Sequence, residues 1–290
     1  MRWTPGGVSS DIEDRRGASG GGGGFGFGRG PTIGCGGAII LLVLSLLTGK
    51  NFFALFDGSG GGGTVQQAPG PQSVPPASQS PEEQKRVEFI SDALDDTQNT
   101  FAEVLRAEGI EYQRSKLVLF RDYTQTGCGT GQAVSGPFYC PSDGKVYLDL
   151  SFFDELDSRF GAPGDFAQAY VIAHEIGHHV QNLVGTSTRV HEAMERDPRN
   201  QNEYSVRLEL QADCYAGVWA HSAAKRNVLE PGDIEEGLGA ASAVGDDRLQ
   251  KSAGRGVNPD SFTHGSSAQR MEWFRRGYEG GRLSDCETFR

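Results

Sequence analysis

The sequence predicts an α+β domain, mostly helical with a small sheet, placed after a single transmembrane helix. Three observations carry that expectation. Tyr170–Val184 (YVIAHEIGHHVQNLV) repeats Ile172, Ile176, Val180 and Leu183 at three- and four-residue steps, the stripe of a buried helix. Lys116–Phe120 (KLVLF) and Val146–Leu150 (VYLDL) are short apolar runs of strand composition. Thr32–Gly49 carries no charge over eighteen residues, the short end of what crosses a bilayer.

Residues 1–31 are polar and then Gly-rich, ending in GASGGGGGFGFGRG. Such a composition is expected to bury no core and to form a disordered cytoplasmic tail. A phosphate-binding reading of its glycines fails, because no strand precedes them and no βαβ unit surrounds them. Residues 32–49 read as an uncleaved signal anchor. About thirty polar residues come first and no Ala-x-Ala-like site follows, unlike a cleaved signal peptide. Arg15, Arg16 and Arg29 precede the run and Lys50 follows it. That excess places the amino terminus in the cytoplasm, with the main domain on the periplasmic or extracellular side of the cell inner membrane. The bilayer is then a partner through residues 32–49. Residues 50–80 form a flexible Gly/Pro/Ser linker.

Residues 81–290 are the folded domain. Ser80-Pro81-Glu82-Glu83 reads as a helix start, with Ser80 as cap, Pro81 at the first helical position and Glu83 closing a capping box. The apolar side continues through Ala107, with a break suggested near Asp95–Asp96. Further helices are expected over Ser205–Ala220 and Ser266–Tyr278. Either predicted strand could hold an extended substrate at a sheet edge, although simple packing suits each one better when taken alone. This region holds 22 Lys/Arg against 34 Asp/Glu, a net charge of −12. An acidic domain excludes a nucleic-acid partner, which would need a basic face.

Cys35 falls in the apolar run, leaving Cys128, Cys140, Cys214 and Cys286. An even number in an exported domain suggests disulfides, with three pairings open. Cys128–Cys140 would pin the Gly-rich loop, and Cys214–Cys286 would tie the tail to a helix. No Cys-x-x-Cys spacing points to thiolate metal ligands.

All six histidines lie between His174 and His264. His174 and His178 are four apart, so both imidazoles leave one helix face, with Glu175 between them. His-Glu-x-x-His on a helix is a zinc-protease signature: two nitrogens hold Zn²⁺ and the carboxylate handles the proton of an activated water. A catalytic zinc needs a third protein ligand. One pattern puts a His six residues beyond the second, but Val184 stands there. The other puts a Glu on a later helix, and Glu209 in SVRLELQADCYAGVWA suits it. Asp213, four residues on, would take the free ring N–H of a zinc-bound His. His179 points about 100° away from His178 and reads as supporting or solvent-facing. His264 is the best candidate donor to an oxyanion, although a capping or surface role suits it at least as well, with Tyr204 a weaker candidate; His191 and His221 read as polar surface.

HEIGHH followed by ELQADCYAGVWA, together with KLVLF, GPFYCPSDGKVYLDLSFFDEL and the amino-terminal DIEDRRG, resembles the bacterial neutral zinc metallopeptidase family with a single membrane anchor. The resemblance runs over nearly the whole chain. It implies that residues 81–290 are a zincin-like zinc metallopeptidase domain holding one Zn²⁺ per chain. His174, His178 and Glu209 would then be the ligands and Glu175 the catalytic residue. The substrate expected is a peptide or protein. Two other readings stay open: a zinc hydrolase acting on cell-wall peptides, and a non-catalytic envelope protein whose zinc holds the fold.

Overall fold

The computed structural model describes residues 1–17, 80–132 and 136–289. The expected membrane run 32–49 and linker residues 50–79 lie outside them. No helix among the described residues is long and apolar enough to cross a membrane. The architecture is α+β, mostly helical with a small sheet, as the sequence predicts.

Strands β1 (Ile12–Asp14), β2 (Leu117–Phe120), β3 (Tyr123–Thr126), β4 (Gly129–Gln132), β5 (Phe138–Cys140) and β6 (Lys145–Asp149) form two sheets. The larger has the order β1-β2-β6-β5, with β5 antiparallel at one edge and the other pairs parallel. The smaller is the β3–β4 ribbon. The two runs expected as strands are β2 and β6. Leu117, Leu119, Val146 and Leu148 turn toward the main core, while Val118, Phe120 and Tyr147 pack on the opposite face. Burial on both faces suits continuous apolar runs in a parallel pair.

The helices are α1 (Pro81–Ala107), α2 (Ser151–Ser158), α3 (Asp165–Leu183), α4 (Thr186–Arg196), α5 (Gln201–Lys225), α6 (Asp233–Ala243), α7 (Asp246–Ser252) and α8 (Ser267–Gly280). At the start of α1, Ser80 Oγ accepts the Glu83 N–H at 3.1 Å. The Glu83 carboxylate, expected to complete that cap, pairs instead with Arg16 and Arg121. The helix also passes unbroken through Asp95–Asp96. Their carboxylates have partners across the fold: Ser9 Oγ donates to Asp95 at 2.9 Å, and Trp219 Nε1 to Asp96 at 2.8 Å.

Helix α3 is central. It packs against α1, α5, α6 and the β5–β6 end of the sheet, and Ile172, Ile176 and Val180 are fully enclosed. Gly177 sits at its crossing with α5, where a Cβ would lie 3.0 Å from the Ala212 carbonyl oxygen. That close approach brings the flanking Glu209 and Asp213 against the histidine face of α3.

A tighter crossing joins α5 to α8. A Cβ on Gly217 would run into the Phe274 carbonyl oxygen, and one on Gly277 into that of Cys214. Gly277→Ala is therefore expected to destabilise the chain by about 3 kcal/mol, the upper end for overpacking. Thermal denaturation reads it, and an unchanged Tm would show that the two backbones do not meet there. The disulfides Cys128–Cys140 and Cys214–Cys286 are both formed. The first ties the β3–β4 ribbon to β5, and the second fastens the tail to α5.

The expected disordered tail is corrected for residues 1–17. They form an ordered arm, and β1 is a parallel member of the main sheet: Ile12 pairs with Leu117 and Asp14 with Leu119. Met1 is buried, and its ammonium pairs with Asp165 at 2.6 Å and Asp233 at 3.3 Å. Composition misled here because the arm contributes few apolar side chains. Backbone pairing and ion pairs hold it instead.

Candidate metal centre

His174 and His178 leave α3 on one face, their ring centroids 4.8 Å apart and their planes crossed at 88°. Glu209 reaches across from α5. Its Oε2 is 3.2 Å from His174 Nε2 and its Oε1 3.5 Å from His178 Nε2. A tetrahedral zinc with bonds of about 2.0–2.1 Å sets its ligand atoms roughly 3.3 Å apart. The two nitrogens and the carboxylate therefore fit zinc in both kind and spacing.

The outer ring nitrogens are occupied, which turns both Nε2 atoms toward Glu209. His174 Nδ1 donates to Asp213 Oδ1 at 2.8 Å. Asp213 is completely buried and also accepts from Arg270 Nε at 2.8 Å, Arg270 Nη2 at 2.9 Å and the Tyr170 hydroxyl. Burial alone would raise the Asp213 carboxyl, but Arg270 and then His174 outweigh it and hold it below the usual range. His178 Nδ1 donates to Gln181 Oε1 at 2.9 Å. Gln181 in turn donates to the Leu208 carbonyl at 2.7 Å and to Gln211 at 3.1 Å, and Gln211 donates to the Cys286 carbonyl at 3.0 Å. A metal-binding imidazole held this way keeps one tautomer and one orientation.

Glu175 lies within the same cleft, nearly enclosed. Burial lifts its carboxyl above the ordinary range, against the pull of His174 and His178. For Glu209, burial works against ionisation, but His178, His264 and His174 hold it well below that range. Neighbouring carboxylates with opposed shifts are suited to different tasks, one exchanging a proton and the other keeping its charge.

His264 lines the cleft with these groups. Asp246, at the start of α7, fixes it from behind. One Asp246 oxygen accepts the backbone N–H groups of Thr263 and His264, each at 2.7 Å, and of Gly265 at 3.1 Å. The other accepts from His264 Nδ1 at 3.2 Å. Burial opposes a charge on His264, yet Glu209 and Asp246 outweigh it and raise its pKa. With Nδ1 engaged by Asp246, Nε2 is the ring nitrogen left for the cleft, and it donates when the ring is protonated.

The other candidates sort differently. Tyr204 lines a separate cavity with Arg189 and Tyr215, so it is no oxyanion donor for this cleft. His191, expected on polar surface, lines the cleft. His179 is buried behind it and donates from Nε2 to the Gln113 carbonyl. Burial lowers its pKa, keeping it neutral, and its Nδ1 accepts the Tyr139 hydroxyl at 3.0 Å. His179 thereby ties edge strand β5 to α3.

Sequence reasoning missed Arg270, Tyr170, Gln181 and Asp246 as supports. Gln181, three residues beyond His178, carried the one local signal, since side chains at that spacing share a helix face. The cleft itself holds about 300 Å³. Phe138, Phe152, Phe160, Val171 and Leu249 make its wall largely apolar.

A family profile described as "Putative neutral zinc metallopeptidase" matches residues 1–289. The chain is 48% identical over 290 residues to the uncharacterized protein YpfJ of Escherichia coli K12, covering all of this chain and 99% of that one. Over 189 residues it is 46% identical to an uncharacterized protein of Mycobacterium tuberculosis H37Rv, covering 61% of this chain and 63% of that protein. No solved structure matches it.

Proposed function

The chain belongs to the neutral zinc metallopeptidase family, and from that premise we propose that it is a zincin-like peptidase hydrolysing peptide bonds with one zinc per chain. The observation that carries this reading is the spacing of His174 Nε2, His178 Nε2 and the Glu209 carboxylate, with both outer ring nitrogens already bonded. An enclosed Glu175 beside that set favours catalysis over a purely structural metal, which would have no use for the carboxylate.

Zinc, when bound, supplies Lewis acidity toward a carbonyl and lowers the pKa of water. Glu175 takes the proton of the attacking water and later delivers it to the leaving amine. His264, steadied by Asp246, donates from Nε2 to the tetrahedral oxyanion. Strand β5, at the open edge of the sheet, offers its backbone to an extended peptide or protein substrate. The apolar cleft wall favours a bulky apolar side chain beside the scissile bond. Residues 32–49 attach the protein to the cell inner membrane, and the peptidase domain faces the periplasm or cell exterior. Two disulfides support that side, since such bonds persist in oxidising compartments.

The test is zinc content and hydrolysis of casein and quenched peptides by the full-length chain in mild detergent. One zinc per chain is expected, with cleavage lost on chelation and restored by added zinc. Unit zinc with no cleavage across a broad peptide library would overturn the peptidase reading. His264→Ala is expected to lower kcat about 10²–10³-fold, the usual effect of removing one oxyanion donor, with zinc content unchanged. A loss confined to KM would assign His264 to substrate binding instead.

A further inference from the structure

We infer that residues 1–17 and the domain that begins at residue 80 lie on the same side of the membrane. The inference deepens the membrane attachment proposed above and holds whichever side the peptidase domain faces.

The arm is part of the domain's sheet. Leu117 N donates to the Asp11 carbonyl at 2.8 Å, and Arg15 N to the Leu119 carbonyl at 2.8 Å, one bond at each end of β1. Asp11 is buried, and its side-chain partners come from far along the chain: Lys116 at 2.8 Å, Gln98 at 3.3 Å and Arg114. Glu13 pairs with Lys145 at 2.7 Å, and Trp3 stands edge-on to Phe89 at 5.5 Å. Removing the arm would strip one of the two backbone partners from β2, whose four residues are all buried. An open edge of sequence LVLF would invite pairing with other chains.

The two ends of residues 18–79 also meet. Arg16 Nη1 lies 2.7 Å from Glu83 Oε1, in the first turn of α1. A single crossing would put about 30 Å of hydrocarbon between those two points. An arm borrowed from a second copy meets the same objection, because every copy shares one topology.

The charge asymmetry that suggested a cytoplasmic amino terminus has another use. The Arg16 side chain is only 4% exposed and is engaged by Asp14 and Glu83. Arg15 pairs with Glu13 at 2.8 Å and donates to the Gln125 carbonyl at 3.1 Å. With both arginines committed to the fold, Arg29 before the run is balanced by Lys50 after it, and the positive-inside bias disappears.

The experiment uses the full-length chain in spheroplasts, with Cys35→Ser and one reporter cysteine, either Val8→Cys or Tyr123→Cys. Both positions are well exposed, at 55% and 57%. A membrane-impermeant maleimide is applied before and after lysis. The two reporters are expected to label alike. Labelling of both before lysis also upholds the external placement of the domain. Labelling of both only after lysis keeps the same-side inference and overturns that placement. Labelling of one reporter before lysis and the other only after it would overturn the inference. Asp11→Lys supplies an independent reading. It should lower the Tm of the detergent-purified chain by several degrees, whereas an arm apart from the domain would leave the Tm unmoved.

Discussion

Glu175→Gln is expected to retain one zinc per chain while lowering kcat/KM about 10³-fold, within the usual range for loss of a general base. The substitution keeps the shape of the side chain and its place between His174 and His178. It removes the ability to take a proton from water. The enclosed position of Glu175 lifts its pKa, so the native carboxyl can hold that proton until the amine leaves. A loss of 10³ corresponds to about 4 kcal/mol of transition-state stabilisation. Zinc content separates this result from a damaged site. His174→Ala, by contrast, should lose both metal and activity. Unit zinc in His174→Ala would show the ligand assignment wrong, and full activity in Glu175→Gln would end the proposed mechanism.

Asp213→Asn should act in two ways that can be measured apart. Arg270 is 3% exposed and Asp213 is its bonded counter-ion. Uncoupling a buried pair by removing one partner typically costs about 3–5 kcal/mol. The zinc-free protein should show that cost in chemical denaturation. The same change removes the acceptor that orients His174, for which a loss of about 10–100-fold in metal affinity is typical. Adding Arg270→Met should recover much of the stability, because no buried charge is then left unpaired, and should leave the zinc affinity low. Recovery of both together would mean that Asp213 serves the fold alone.

Much of this site was written in local spacing. The stripe of α3 and the four-residue intervals between His174 and His178, and between Glu209 and Asp213, are properties of one helix at a time. Periodicity reveals them before any packing is known. Strands β2 and β6 stood out for a similar reason, since burial on both faces leaves a run of apolar residues. The supports were less legible. Arg270 meets Asp213 only because α8 crosses α5 at Gly277 and Gly217, and no interval in the sequence encodes that meeting. Asp246 reaches His264 through a loop whose course depends on α7. The arm was misread outright. Ile12-Glu13-Asp14 has neither the length nor the apolar content of a recognisable strand, and the arm is held by Lys116 and Arg114 on Asp11 and Lys145 on Glu13, all far along the chain.

The parallel pairing of Ile12 with Leu117 also sets an order of events in time. During synthesis β1 leaves the ribosome long before its partner exists. Closing a loop of that length costs about 4 kcal/mol of chain entropy, which the contacts of β1 recover only once β2 and β6 are already in place. The arm is therefore expected to join late and to leave early, which faster amide exchange at Leu117 than at Val146 would show. A chain with β2 formed and β1 not yet paired would present the edge LVLF to other chains.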